Sequence, residues 1–109
     1  MPDRGDLVWL DFDPQAGHEQ ARRRPVLVLS PRAYNARTGL MLCCPLTTKR
    51  KGYPFEVPIE DGDPPSVVLA DQIRSVDWRA RNARFLRRAE HVTRDVGRIV
   101  AALVVTDTA

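Results

Sequence analysis

The chain has 109 residues, of which 43% are hydrophobic and 28% charged. That is room for one globular core and too little for two, and it excludes a disordered chain. The longest unbroken apolar run, Ile99 to Val105, is far too short to cross a bilayer as a helix.

The formal net charge of +3 hides a blocked distribution. Residues 1–21 carry net −4, residues 22–51 net +8 with no acid, residues 52–73 net −5 with no base, and residues 74–109 net +4. Two basic blocks suit a polyanionic partner if folding brings them to one face. Fifteen of the seventeen bases are arginine, the residue that grips phosphate bidentately and stacks on bases. The start, Met1-Pro2-Asp3-Arg4-Gly5-Asp6, lacks the basic and apolar regions of a leader. Cys43 and Cys44 are adjacent, without metal-ligand spacing, and read as reduced, buried thiols. These features predict one domain over residues 1–109 and a cytoplasmic location.

Taken in order, Leu7 to Phe12 reads as a first strand, closed by Asp13-Pro14. A polar loop follows, Gly17-His18-Glu19-Gln20-Ala21-Arg22-Arg23, of the kind that carries function when rigid strands hold it. Arg24 to Ser30 is a second strand, and Pro31 to Arg37 a helical turn with Ser30 as N-cap. Leu40 to Thr48 is a third strand, in which Pro45 predicts an edge or a bulge. Lys49-Arg50-Lys51-Gly52 is a basic turn. Phe55 to Ile59, Ser66 to Ala70, Gln72 to Trp78 and Ala83 to Arg87 are further short strands.

The period then changes. Val92, Val96, Ile99, Val100, Leu103 and Val104 recur at helical spacing and predict one apolar stripe, with Thr93 as N-cap and Gly97 permitting close packing. The sum is a mainly β protein, a small antiparallel barrel-like sheet with a C-terminal helix.

Candidate chemistry is narrow. The two histidines, His18 and His91, stand far apart, and neither a phosphate-binding glycine loop nor a nucleophile elbow is present. What remains is a carboxylate, Glu19, with a set of arginines and hydroxyls. Arg24 can hold a phosphate, and Thr47 and Thr48, beside Lys49 and Lys51, can donate hydrogen bonds to one. Asp71 and Gln72 can orient a base or sugar. That inventory fits phosphoester cleavage without metal. Each residue also has a structural role open to it: Thr for strand propensity, Asp71 for a turn, Gln72 for a sheet edge.

The combination is more specific. Gly5-Asp6-Leu7-Val8-Trp9-Leu10-Asp11-Phe12-Asp13-Pro14, Gly17-His18-Glu19-Gln20 and Arg24-Pro25-Val26-Leu27-Val28-Leu29-Ser30 resemble the opening of the MazF/PemK toxin family. The resemblance runs on through Pro45-Leu46-Thr47-Thr48, Lys51-Gly52-Tyr53-Pro54-Phe55-Glu56-Val57, Ala70-Asp71-Gln72 and Trp78-Arg79-Ala80-Arg81. It implies a dimeric SH3-like barrel and a sequence-specific endoribonuclease that cuts single-stranded RNA without a cofactor. It also implies an antitoxin whose acidic, disordered C-terminal tail occupies the RNA groove.

Carried over by position, the resemblance puts the family's acidic loop residue on Glu19, its essential arginine on Arg24, its strand-end threonine on Thr47 and its Asp-Gln pair on Asp71-Gln72. Arg22-Arg23 makes this loop more basic than the family's usual one. His18 matches the PemK branch, but Leu69 stands where that branch carries an arginine. In the implied reaction the substrate's own 2′-hydroxyl attacks phosphorus. Glu19 is the base, Arg24 stabilises charge and Thr47 orients the phosphate. His18 is better suited than a guanidinium to deliver a proton. Arg22, Arg23, Thr48, Lys49, Lys51 and Arg79 are the further expected RNA contacts. Two rivals stay open: a gyrase-poisoning toxin of the same fold, whose Trp-Gly-Ile tail this chain lacks, and a non-catalytic SH3-like nucleic-acid-binding module.

Overall fold

A computed structural model describes residues 1–11, 23–62 and 64–106. Its elements are β1 (Asp6–Asp11), β2 (Arg23–Val28), α1 (Arg32–Thr38), β3 (Leu40–Thr47), β4 (Glu56–Ile59), β5 (Ser66–Leu69), a 3-10 turn (Ala70–Gln72), β6 (Arg74–Asp77), β7 (Arg84–Arg88) and α2 (Glu90–Val104). The strands form one antiparallel, curled sheet ordered β4-β5-β3-β2-β1-β7, with β6 also paired to β3. The fold class read from the sequence, a small antiparallel barrel-like sheet with a C-terminal helix, is the one found, the sheet curling as a half-barrel. Among the described residues no helix is long and apolar enough to cross a membrane.

Alternation along the strands divides the core. Leu7, Leu27 and Cys44 pack into one cluster with Ile59, Val68 and Val96, and α2 lies over this side against the 3-10 turn and β4. Val8, Leu10, Val26, Val28, Met41 and Cys43 form a second cluster on the opposite face. The adjacent cysteines thus enter different clusters, as side chains of period two must. Both are free and buried.

β3 is the hub. It pairs with β2 on one side, and on the other with β6 from Leu40 to Cys43, then with β5 from Leu46. Pro45, opposite Val26, is therefore not on an edge strand. It occupies the corner where β3 exchanges one partner for another, a place where a lost ladder N–H costs least. The stretches Ser66–Ala70 and Gln72–Trp78 give two separate strands, with the 3-10 turn between β5 and β6.

Both expected helix caps are corrected. Pro31 precedes α1 without a side-chain cap. Ser30 instead donates from its hydroxyl to Asn35 Oδ1 at 2.6 Å and accepts the Leu42 N–H at 2.8 Å. Helix α2 starts at Glu90, three residues before Thr93, whose hydroxyl donates back to the Ala89 carbonyl at 2.8 Å. Gly97 serves no close approach either, since a Cβ there would meet no atom within 4 Å beyond the backbone of its own helix. The apolar stripe is buried only at its start. Val92 and Val96 are buried and Ile99 and Val100 pack at the rim, while Leu103 and Val104 are 59% and 67% exposed.

Gly5 is required where it stands. Its φ is +95°, and a Cβ would come within 3.0 Å of Arg88 Nη2. The tight passage lets Gly5 bond to Val28 and Ala89 and lets Arg88 reach the buried Asp6 carboxylate at 2.8 Å.

Candidate functional site

A groove of about 730 Å³ opens at one end of the sheet. Its floor includes Leu7, Trp9, Pro25, Leu46, Ile59 and Leu86, and its rim carries Arg23, Arg24, Thr47, Thr48, Lys49 and Arg87. Folding therefore brings bases from both basic blocks to one place. Trp9, half-buried, is part of the groove wall and not of either buried core cluster.

Each rim group has a structural reason for its position. Arg24 stands opposite Leu10 in the β1–β2 register, so two buried core strands fix its backbone. Its side chain is exposed and holds no ion pair among the described residues. Arg23, opposite Asp11, is turned toward that carboxylate at 3.7 Å. Arg87 comes from β7 on the far side and pairs with Asp61 at 3.3 Å.

Thr47 ends β3, opposite Val67. Its Oγ1 accepts the Lys49 N–H at 3.1 Å, which leaves its own O–H available to donate. The basic turn beyond is latched from its other end. The Glu56 carboxylate accepts the N–H of Lys51 at 3.1 Å through Oε2 and that of Gly52 at 2.9 Å through Oε1, where Gly52 has φ +82°. An acceptor fixed on both ends of one turn holds Thr48 and Lys49 at the groove.

The residues expected from the sequence fall into three groups. Arg23, Arg24, Thr47, Thr48 and Lys49 meet at the groove. Lys51, Asp71, Gln72 and Arg79 do not line it. Asp71 and Gln72 lie exposed on the 3-10 turn. The Arg79 guanidinium lies 4.6 Å above the Trp78 ring and borders a smaller recess of about 320 Å³ with Asn82, Ala83 and Arg84. His18, Glu19 and Arg22 lie outside the described residues. Sequence reading missed Arg87 and Ser66 in the groove. Arg87 adjoins Arg88 on β7, where the pairing with β1 shifts register between Leu7 and Val8, so only the folded register, with Arg87 opposite Leu7, selects it.

Chemically, guanidinium forks and a hydroxyl over an apolar floor suit a phosphodiester with a flat base beside it. The forks take phosphate oxygens bidentately, and the floor takes an aromatic face. Among the described residues no three His, Cys, Asp or Glu side chains are grouped so that they could hold a metal ion.

A model of the PemK-like, MazF-like toxins of type II toxin–antitoxin systems matches residues 3–105. The endoribonuclease toxin MazF of Escherichia coli K12 is 57% identical over 83 residues, which cover 76% of this chain and 75% of that one. A solved MazE–MazF structure from Deinococcus radiodurans superposes with a TM-score of 0.84 at 46% identity, covering 97% of both chains. A MazF structure from the same organism is 54% identical, with a TM-score of 0.80 over 96% of this chain and 97% of the other.

Proposed function

Because the chain belongs to the PemK-like, MazF-like toxins of type II toxin–antitoxin systems, we propose that it is a cytoplasmic, sequence-specific endoribonuclease that cuts single-stranded RNA without a metal. The observation that carries this reading is the groove itself, where Arg24, Thr47 and Lys49 converge over an apolar floor. The relatives named endoribonucleases supply the reaction class.

In the proposed reaction the 2′-oxygen attacks the adjacent phosphorus while its proton passes to the Glu19 carboxylate. The bond from phosphorus to the 5′-oxygen breaks, and His18 protonates the departing oxygen. The products are a 2′,3′-cyclic phosphate and a 5′-hydroxyl. Arg24 neutralises the charge that grows on the phosphoryl oxygens, where a preorganised donor is most effective. The Thr47 O–H holds the phosphate against it. Glu19 and His18 are assigned on sequence grounds. A modest carboxylate base suffices because the nucleophile is already held beside phosphorus.

The partners follow the same chemistry. A cognate antitoxin with an acidic, disordered tail is the protein partner, as the solved MazE–MazF pair suggests, and its tail competes with RNA for the basic rim. The toxin acts as a homodimer. Asp71, Gln72, Lys51 and Arg79, which lie away from the groove within one chain, are assigned to RNA bound beyond it.

The test is to incubate the purified protein with total RNA and sequence the new 5′-ends. One short motif, with 5′-hydroxyl ends at each cut, is expected. Random ends or intact RNA would contradict the reading.

A further inference from the structure

Beside the groove, every polar atom of Asp11 is engaged. Its backbone N–H donates to the Arg81 carbonyl at 2.9 Å, and its own carbonyl accepts from Arg81 Nη1 at 3.1 Å. Its Oδ2 accepts from Asn82 Nδ2 at 2.8 Å, and its Oδ1 faces Arg23 Nη1 at 3.7 Å. Asp11 is opposite Arg23 in the register and Leu10 is opposite Arg24. One residue of β1 thus connects the turn after β6 with the rim of the groove.

That turn is held by several hydrogen bonds. Asp77 Oδ1 accepts the N–H groups of Arg79 and Ala80 at 3.1 and 2.9 Å. The Arg81 N–H donates to the Asp77 carbonyl, the Asn82 N–H to that of Arg79 and the Ala83 N–H to that of Trp78. Within it Asn82 has φ +54°, the one non-glycine residue with positive φ among the described residues. A left-handed backbone favours glycine first and asparagine next. Glycine alone would satisfy the backbone; the asparagine side chain adds a donor aimed at Asp11.

We propose that Asn82 is a positioning residue. Its amide fixes the Asp11 carboxylate, which draws Arg23 along the sheet and leaves Arg24 as the guanidinium that reaches the substrate. If Asp11 turned away, Arg23, which also lines the groove, would no longer be held in one geometry beside Arg24. The consequence for turnover rests on the endoribonuclease reading; the consequence for Arg23 does not.

The test compares the wild-type protein with Asn82→Gly, which keeps the left-handed backbone and deletes only the donor, and with Asn82→Asp, which sets a carboxylate against Asp11. Two readouts are taken. The first is the arginine Nε–H NMR signal of Arg23. The second is kcat and KM on an RNA oligonucleotide, with the thermal midpoint measured alongside. In Asn82→Gly the Arg23 signal should move or broaden, the midpoint should hold, and kcat should fall about tenfold, since small misplacements of a reacting group carry costs of that order and larger. KM should change little. Asn82→Asp should show the same changes, larger. An unchanged Arg23 signal in both variants overturns the clamp, and a moved signal with unchanged kcat overturns its catalytic consequence. If the wild type cuts no RNA, the endoribonuclease reading fails, and the Arg23 signal alone decides the clamp.

Discussion

The Thr47 hydroxyl oxygen accepts the backbone N–H of Lys49 at 3.1 Å. One side chain therefore shapes the basic turn with its acceptor and faces the groove with its donor. Thr47→Val should lose both, and kcat should fall by on the order of 10²-fold, the effect of removing one preorganised donor. Thr47→Ser, which keeps the hydroxyl, should retain most turnover. Steady-state kinetics on one oligonucleotide checks both. Loss of turnover in Thr47→Ser with turnover kept in Thr47→Val would show that the methyl group, not the hydroxyl, is what matters.

Arg24 and Lys49 should separate on salt dependence. Arg24 is fixed by a core strand opposite Leu10, whereas Lys49 is exposed on a turn. Arg24→Lys should lose most turnover at saturating RNA, because an ammonium cannot reproduce a bidentate fork. Lys49→Ala should leave turnover at saturation near wild type. It should weaken binding and reduce the slope of log affinity against log salt by about 0.7, the value for one contact to a single strand. Titrations at several salt concentrations measure this.

The cysteines set an alkaline limit on stability. Burial pushes the Cys43 thiol up to about 11, against a smaller lowering by Arg74 and Arg81. Burial, with smaller contributions from Cys43 and Asp71, pushes Cys44 up to about 12. In the unfolded chain both return toward 9.0. A thiol whose folded pKa is raised favours the folded state below its unfolded pKa and loses that contribution as pH climbs through the folded one. As far as the thiols govern it, the thermal midpoint should be flat across neutral pH and should fall above pH 9.0 toward the folded values of about 11 and 12. The double change of Cys43 and Cys44 to Ala should flatten that fall. In the native protein at neutral pH, iodoacetamide should modify neither thiol.

Much of the fold is legible in the sequence. Short apolar runs bounded by turn residues, Leu7-Val8-Trp9-Leu10 and Val26-Leu27-Val28-Leu29, placed the core strands, and the change to helical spacing at Val92 placed α2. The opposite facing of Cys43 and Cys44 was also readable. Local signals failed where tertiary contacts override them. Ser30 has the chemistry of a cap but is taken by Asn35 and Leu42. Thr93 bonds back along its own helix. Pro45 looked like an edge marker because sequence does not reveal that β3 changes partners there.

In the site, Arg24, Thr47, Thr48 and Lys49 could be named from type and spacing. Asp11, Asn82 and Arg87 could not. Their importance depends on pairings between residues far apart in the chain, such as Asn82 with Asp11. A lone asparagine after Arg81 carries no sign of its φ or of its target.

The central claim is that the nucleophile belongs to the substrate. Nothing in the proposed mechanism generates hydroxide on a metal, so the 2′-hydroxyl must supply the attacking oxygen. The most direct measurement uses two RNA oligonucleotides that differ by one atom, the second carrying a 2′-deoxy sugar immediately 5′ of the scissile phosphate. The account predicts that both bind with similar affinity, that only the all-ribose strand is cut, and that cutting persists in excess EDTA. Cleavage of the 2′-deoxy strand, or inhibition by EDTA that added metal reverses, would contradict it.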